Sequence, residues 1–357
     1  MKVKPLGSGG FVYSRGLQLL RGLAALMIVF VHLGVAEGRY GSLLGARILD
    51  GMRVGTAGVD IFFVISGFVM MMVVITRPIS PNLFLKNRLT RIYPNYWIYF
   101  LLVGFVWLIQ PGWVNSSMTG TPDFLSSLFL FPSSGPPVVS VAWTLEFEVY
   151  FYLVFTFFLW VSRKHLAFVV IVFFTTLVLL GTLYQPETLL LERLTHPLLL
   201  EFASGVFLGW LLMSRQIAGA WLAIPLALLI FILFQQGNEL TQLIPVGNHF
   251  ERLVNFGIPS VLLVFGMVSL DVKYDIAYPG FFIKLGDASY TLYLSHVLVI
   301  SAFGKVWQAS GLNSFLPNFI FVIAMLFACI LFALLAYDYI ERPLLSAVRK
   351  RFKRDHS

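Results

Sequence analysis

The chain alternates between long apolar runs and short polar breaks, and ten of the runs are long enough to cross, or nearly cross, a bilayer. They fall near 17–36, 57–75, 95–109, 143–160, 166–184, 198–213, 219–235, 253–270, 288–304 and 317–340. A segment in lipid must satisfy its own backbone, so each run predicts a helix. The pattern as a whole predicts an all-α, polytopic transmembrane helix bundle of about ten spans. No internal repeat divides it, so 1–357 reads as one integral-membrane domain, with 1–16 ahead of the first span and a basic tail at 343–357. The apolar stretch 124–131 is too short to span and predicts a re-entrant or interfacial piece. Pro94, within Tyr93-Pro94-Asn95-Tyr96-Trp97, predicts a helix break among aromatics suited to a headgroup belt. Pro343 is expected to close the tenth helix.

Composition narrows the class. Hydrophobic residues make up 58% of the chain and charged residues 12%, against about a quarter charged in soluble domains. Water-soluble enzyme classes are thereby set aside. Of the 25 Lys and Arg, six (Arg39, Arg47, Arg53, Arg193, Arg252 and Lys305) fall in one set of alternate breaks, and 18 fall in the other. The positive-inside rule then predicts that both termini are cytoplasmic. The net charge of +8 is dispersed in short loops and the tail, which suits topology and anionic lipid and argues against nucleic acid. Cys329 is the one cysteine, so no disulfide forms within the chain and a catalytic thiol is poorly supported. No cleavable signal peptide is expected, because no small-residue cleavage site follows Leu17–Val35.

Ionisable residues within the spans are costly and mark candidate chemistry. Arg21 and His32 lie on the first span, and eleven residues is nearly a whole number of turns, so both project from one face. Along the axis they are roughly 16 Å apart. The predicted orientation puts Arg21, Arg88 and Arg91 toward the cytoplasm and His32, Asp60 and Glu148 toward the outside. Arginine's planar fork suits phosphate, while a histidine beside a carboxylate suits proton abstraction from a hydroxyl. Plainer readings stand beside these. Arg21 snorkels, Arg88 and Arg91 set topology, His32 is a satisfied buried histidine, and Asp60 favours a helix N-terminus. Glu146 and Glu148 share the fourth span, and Glu201 opens the sixth ahead of Gly205 and Gly209, which predict close helix packing. His296 is a second histidine at membrane depth. It lies on a different span from His32, and no run of metal-ligand spacing occurs. The loop at 110–142 carries no Lys or Arg and suits a neutral, hydrogen-bonding ligand.

Motifs in fixed order then add a family. These are basic-x10-His (Arg21, His32), GVDIFFVISGF at 58–68, R-x-x-R (Arg88, Arg91), W-T-L-x-x-E-x-x-F-Y at 143–152, E-F-x-x-G at 201–205, S-Y-T-L-Y-L-x-H at 289–296 and E-R-P at 341–343. With them the chain resembles membrane acyltransferase family 3, integral-membrane O-acyltransferases of bacterial cell-surface sugars, and most of all the short exopolysaccharide-acetylating branch. The resemblance implies an enzyme of the cytoplasmic (inner) membrane. It would move an acyl group from acetyl-CoA, or a related acyl-CoA, to a hydroxyl of an exopolysaccharide, lipid-linked or lipopolysaccharide sugar. No permanently bound cofactor and no metal are expected. His32 is expected as general base with Asp60 or Glu148 as acidic partner. Arg21, Arg88, Arg91, Trp143, Glu201, Tyr290 and His296 are expected to contact donor or acceptor. A transporter or flippase is the alternative class, and a non-catalytic membrane sensor a third. Consumption of labelled acetyl-CoA separates an enzyme from a transporter.

Overall fold

The computed structural model describes residues 14–42, 44–49, 54–113, 120–214, 219–235, 248–274 and 276–354. All its regular elements are helical, with no strand among the described residues. In chain order they are α1 (Arg15–Tyr40), α2 (Ala57–Thr76), α3 (Pro81–Ile109), α4 (Phe124–Phe129) and α5 (Trp143–Phe158). Next come α6 (Arg163–Tyr184), α7 (Leu189–Leu194), α8 (Leu199–Ser214), α9 (Ala223–Gln235) and α10 (Asn248–Arg252). The last are α11 (Ile258–Lys273), α12 (Gly280–Asp287), α13 (Ser289–Ala309), α14 (Asn318–Ala336) and α15 (Arg342–Arg354). Each of the ten apolar segments corresponds to a helix.

Eight helical stretches among the described residues are long and apolar enough to cross a membrane. The segment around α9 is shorter, with its apolar part at Ala220–Leu233. The ninth segment, α13, has the length but carries Ser289, Thr291, Ser295 and His296, all buried. Its polarity is the side chains it turns inward.

The chain forms two compact units, one of Met1–Ala24, Thr56–Leu85 and Tyr150–Asp287, the other of Ala25–Gly55, Lys86–Val149 and Ala288–Ser357. In the first, α2 packs on α8, α6 on α8, and α11 on α9. The α2–α8 approach depends on missing side chains. A Cβ at Gly67 would lie 2.0 Å from the Phe202 carbonyl oxygen, and one at Gly205 2.1 Å from that of Val64. Phe202 stacks between Phe63 and Phe151, with centroids at 4.4 and 4.6 Å. Small residues letting backbones meet is how apolar helices bind where lipid is as apolar as their side chains. Gly67→Ala and Gly205→Ala are each expected to cost about 1–3 kcal/mol by overpacking, read as earlier thermal unfolding in detergent. Gly104→Ala should be milder, since its nearest neighbour is a Phe124 ring carbon at 3.2 Å.

In the second unit, α13 packs on α14, and α4 docks on α3. The α4 N-terminus is capped by Asp123, which accepts from the Ser126 N–H at 3.0 Å. Its last carbonyls would be orphans in an isolated helix. Here Tyr96 donates to Ser127 at 2.6 Å, Trp97 to Leu128 at 3.0 Å and Tyr93 to Phe129 at 2.8 Å. Two expectations change as a result. The aromatics around Pro94 are donors to α4, and Tyr96 is fully buried. Pro94 does not break α3, which runs unbroken through it. Neighbouring elements hold a membrane helix through the backbone bond a proline removes. Pro343 is corrected likewise. A π-turn at Tyr337–Glu341 leads straight into α15, and the proline sits in that helix's first turn, where a missing N–H is tolerated. A second π-turn, Leu253–Gly257, leads into α11. The stretch 1–13 and Arg53 lie outside the described residues.

Candidate active site

The helix α1, which carries Arg21 and His32, runs from Arg15 to Tyr40. Within the second unit, His32 meets His296 of α13. Their rings are edge to face with centroids 4.8 Å apart, and His32 Nδ1 lies 3.2 Å from His296 Nε2. Each Nδ1 also lies 3.0 Å from a backbone carbonyl one turn back, Ile28 for His32 and Leu292 for His296.

These partners assign the tautomers. A carbonyl only accepts, so each Nδ1 carries a proton when the rings are neutral. His296 Nε2 then bears a lone pair facing the Nδ1–H of His32. The opposite nitrogen, His32 Nε2, is the unprotonated one, and His32 is only part-buried. A histidine oriented through one nitrogen with a lone pair on the other is the form a general base takes.

The wall behind His296 is tied down. The Tyr293 ring lies 6.0 Å from that of His296. Its hydroxyl donates to the Val141 carbonyl at 2.7 Å and meets Thr144 Oγ1 at 2.7 Å. Deeper in the unit, Asn95 of α3 donates to Thr291 Oγ1 at 3.2 Å and to Glu341 Oε2 at 3.3 Å, and Thr291 donates to the same Glu341 oxygen. The π-turn carrying Glu341 is thus fastened to the helix carrying His296.

Asp60 has another partner. Both its oxygens are engaged by Arg252, Nε to Oδ1 at 3.2 Å and Nη2 to Oδ2 at 2.8 Å, and Arg252 also donates to the Thr56 carbonyl at 3.3 Å. Asp60 is fully buried and the arginine side chain 26% exposed. Glu201, fully buried, adjoins this pair. It lies over Gly257, where a Cβ would come 3.0 Å from Oε1. In the second unit the neighbour of His32 is thus a second histidine, and in the first unit Asp60 and Glu201 form a buried polar cluster with Arg252. The sequence marks Arg252 only as a loop cation.

Tyr290 donates to the Ile92 carbonyl at 2.9 Å, and Glu148 and Arg91 both lie close enough to act on it electrostatically. Trp143 is half-buried and sits edge-on to Phe147 at 6.2 Å. Arg88 is part-buried and Arg91 exposed on α3. Arg21 donates to Gln18 at 3.3 Å.

The family model of acyltransferase family 3, described as an acyltransferase domain, matches residues 14–338. The chain belongs to this family. It is 34% identical over 309 residues to the exopolysaccharide production protein ExoZ of Rhizobium meliloti (strain 1021), covering 84% of this chain and 92% of that protein. It is 22% identical over 370 residues to the acyltransferase MdmB of Streptomyces mycarofaciens, covering 93% and 92% of the two. No solved structure matches it. The family and the apolar helices make this a multi-pass membrane acyltransferase.

Proposed function

We propose that the protein is an O-acyltransferase that moves an acyl group, acetyl in the simplest case, from a cytoplasmic acyl-CoA to a hydroxyl of an exported carbohydrate. The carrying observation is the His32–His296 contact, which leaves His32 Nε2 as a positioned base. The similarity to a protein named for exopolysaccharide production supports a carbohydrate acceptor. In the reaction, His32 Nε2 takes the proton of the acceptor hydroxyl as its oxygen attacks the thioester carbonyl. The carbon–sulfur bond breaks, and the imidazolium returns the proton to the departing thiolate. His296 holds the imidazolium's Nδ1–H throughout. Arg88 and Arg91 bind the nucleotide phosphates, and Arg21 marks the donor's path along the face of α1 that carries His32.

Purified protein given labelled acetyl-CoA and a polysaccharide from the parent cell surface should transfer label to the sugar. In oriented vesicles of the cytoplasmic (inner) membrane, the donor should act only from the cytoplasmic face and the acceptor only from the other. A protein that moves acetyl-CoA or sugar across the bilayer without forming an ester would be a transporter. Arg88→Ala and Arg91→Ala are expected to raise the donor KM about tenfold each, a charged hydrogen bond being worth about 1.5–3 kcal/mol, with kcat little changed. An unaltered KM in correctly inserted protein would return both arginines to topology.

A further inference from the structure

Beyond the histidine pair, α1 and α13 run parallel within the second unit. His32 meets His296, and eight residues further along each helix Tyr40 meets Gly304, where a Cβ would lie 2.4 Å from the tyrosine ring. The next residue of α13 is Lys305, and the residue before Tyr40 is Arg39. The Tyr40–Gly304 contact thus brings Arg39 and Lys305 to the same end of the helix pair, within electrostatic reach of each other. Among the described residues Lys305 has no carboxylate partner. Its Nζ lies 3.4 Å from the Trp113 carbonyl oxygen and 5.0 Å from the centre of the Trp113 ring. Arg39 is exposed, with its guanidinium carbon 5.8 Å from the Tyr40 ring centre, and Trp113 is 54% exposed.

Two cations at the same end of a helix pair attract an anion that can reach both. Both also belong to the minority of Lys and Arg placed against the positive-inside bias, which gives them no topological purpose. The loop at 110–142 has no cation of its own, but α13 supplies one to it. Seven residues of α1 separate His32 from Arg39 and nine of α13 separate His296 from Lys305, so the cations lie roughly 10–14 Å beyond the base along the helices. That span accommodates a short saccharide with one hydroxyl at His32 and a charged substituent at the cations.

We propose that Arg39, Lys305 and Trp113 form an acceptor subsite for an acidic substituent, a carboxylate or phosphate, of the carbohydrate. The two cations hold the anion and the exposed indole face supports a sugar ring. The assignment rests on the acyl-transfer reading for its acceptor. Direct binding tests it separately.

The probes are an oligogalacturonide and its carboxyl-reduced, neutral counterpart, titrated onto detergent-purified protein by calorimetry at low salt. Wild type should bind the acidic form about tenfold more tightly, the scale of a lost charged hydrogen bond. The preference should shrink as salt rises. Arg39→Gln with Lys305→Gln should abolish the preference and leave the neutral affinity in place. Lys305→Met, which keeps the stem over Trp113 and removes only the charge, should reduce it in protein of unchanged thermal stability. Trp113→Leu should weaken both ligands. Equal binding of the two probes, binding of neither, or a preference that survives the double substitution would overturn the subsite. If the double variant instead loses phosphatidylglycerol retained through purification and keeps the sugar preference, the cations hold lipid and the proposal fails. Binding as expected without acyl transfer would instead overturn the proposed reaction and leave the subsite standing.

Discussion

His32→Ala is expected to lower the rate of acyl transfer by about 10²–10⁴-fold, the usual contribution of a positioned general base. The protein should remain folded. His32 is only part-buried, and the buried neighbours Ile28, Val29 and Leu33 keep the core contacts of α1. The donor KM should stay near the wild-type value, because the arginines proposed to bind the phosphates, Arg88 and Arg91, are on α3. Initial rates with labelled acetyl-CoA, measured beside thermal unfolding of the same preparation, check both statements. Acylation at the wild-type rate by a His32→Ala protein would remove this histidine from the chemistry.

The apolar pattern is sufficient to find each of the ten helical segments, because a helix in lipid is forced by local backbone needs. Periodicity also places Arg21 and His32 on one face, a property of one helix alone. What it cannot supply is lateral neighbours. His32 and His296 are separated by 264 residues, and Asp60 and Arg252 by 192. Knowing that a carboxylate and a histidine share a depth says nothing about which helices adjoin. Depth alone therefore does not find the pairing of Asp60 with Arg252 and leaves Arg252 a loop cation. A clue to the histidine pair is that the first and ninth segments each carry one histidine and, in an alternating topology, run in the same direction. The prolines mislead for a related reason. Pro94 and Pro343 break isolated helices, but α3 is anchored by three aromatic hydrogen bonds to α4, and a π-turn shifts the helical register ahead of Pro343.

The C-terminal end of α1 shows the same limit. Glu37 accepts the Ile48 and Leu49 N–H groups at 2.6 and 2.8 Å, and Asn318 of α14 donates to it as well. From sequence, Glu37 is a carboxylate at the end of a span. In the fold it clamps the following loop to two helices and fixes the end of the one that carries His32. Its buried hydrogen bonds explain a charge that neither reacts nor sets topology.

The second large effect is expected at His296, through orientation. His296→Leu removes the lone pair that receives the Nδ1–H of His32, leaving the Ile28 carbonyl as that proton's one remaining partner. The ring can then rotate, and a misplacement of about 1 Å can cost about a hundredfold in rate. kcat should therefore fall about a hundredfold while the donor KM holds, since the proposed phosphate contacts, Arg88 and Arg91, are left in place. A purely structural role would lower stability and rate together, so the discriminating comparison is His296→Gln. The amide oxygen introduced by that substitution accepts from His32 as the imidazole nitrogen did, and it should recover most of the kcat lost in the leucine variant. Asn95→Ala and Thr291→Val, which disturb the polar layer that holds α13 to Glu341, should lower thermal stability before they lower kcat. If His296→Gln is as slow as His296→Leu in equally stable protein, His296 acts by something other than accepting this hydrogen bond. Full activity in the leucine variant would show that His32 needs no partner beyond its own helix.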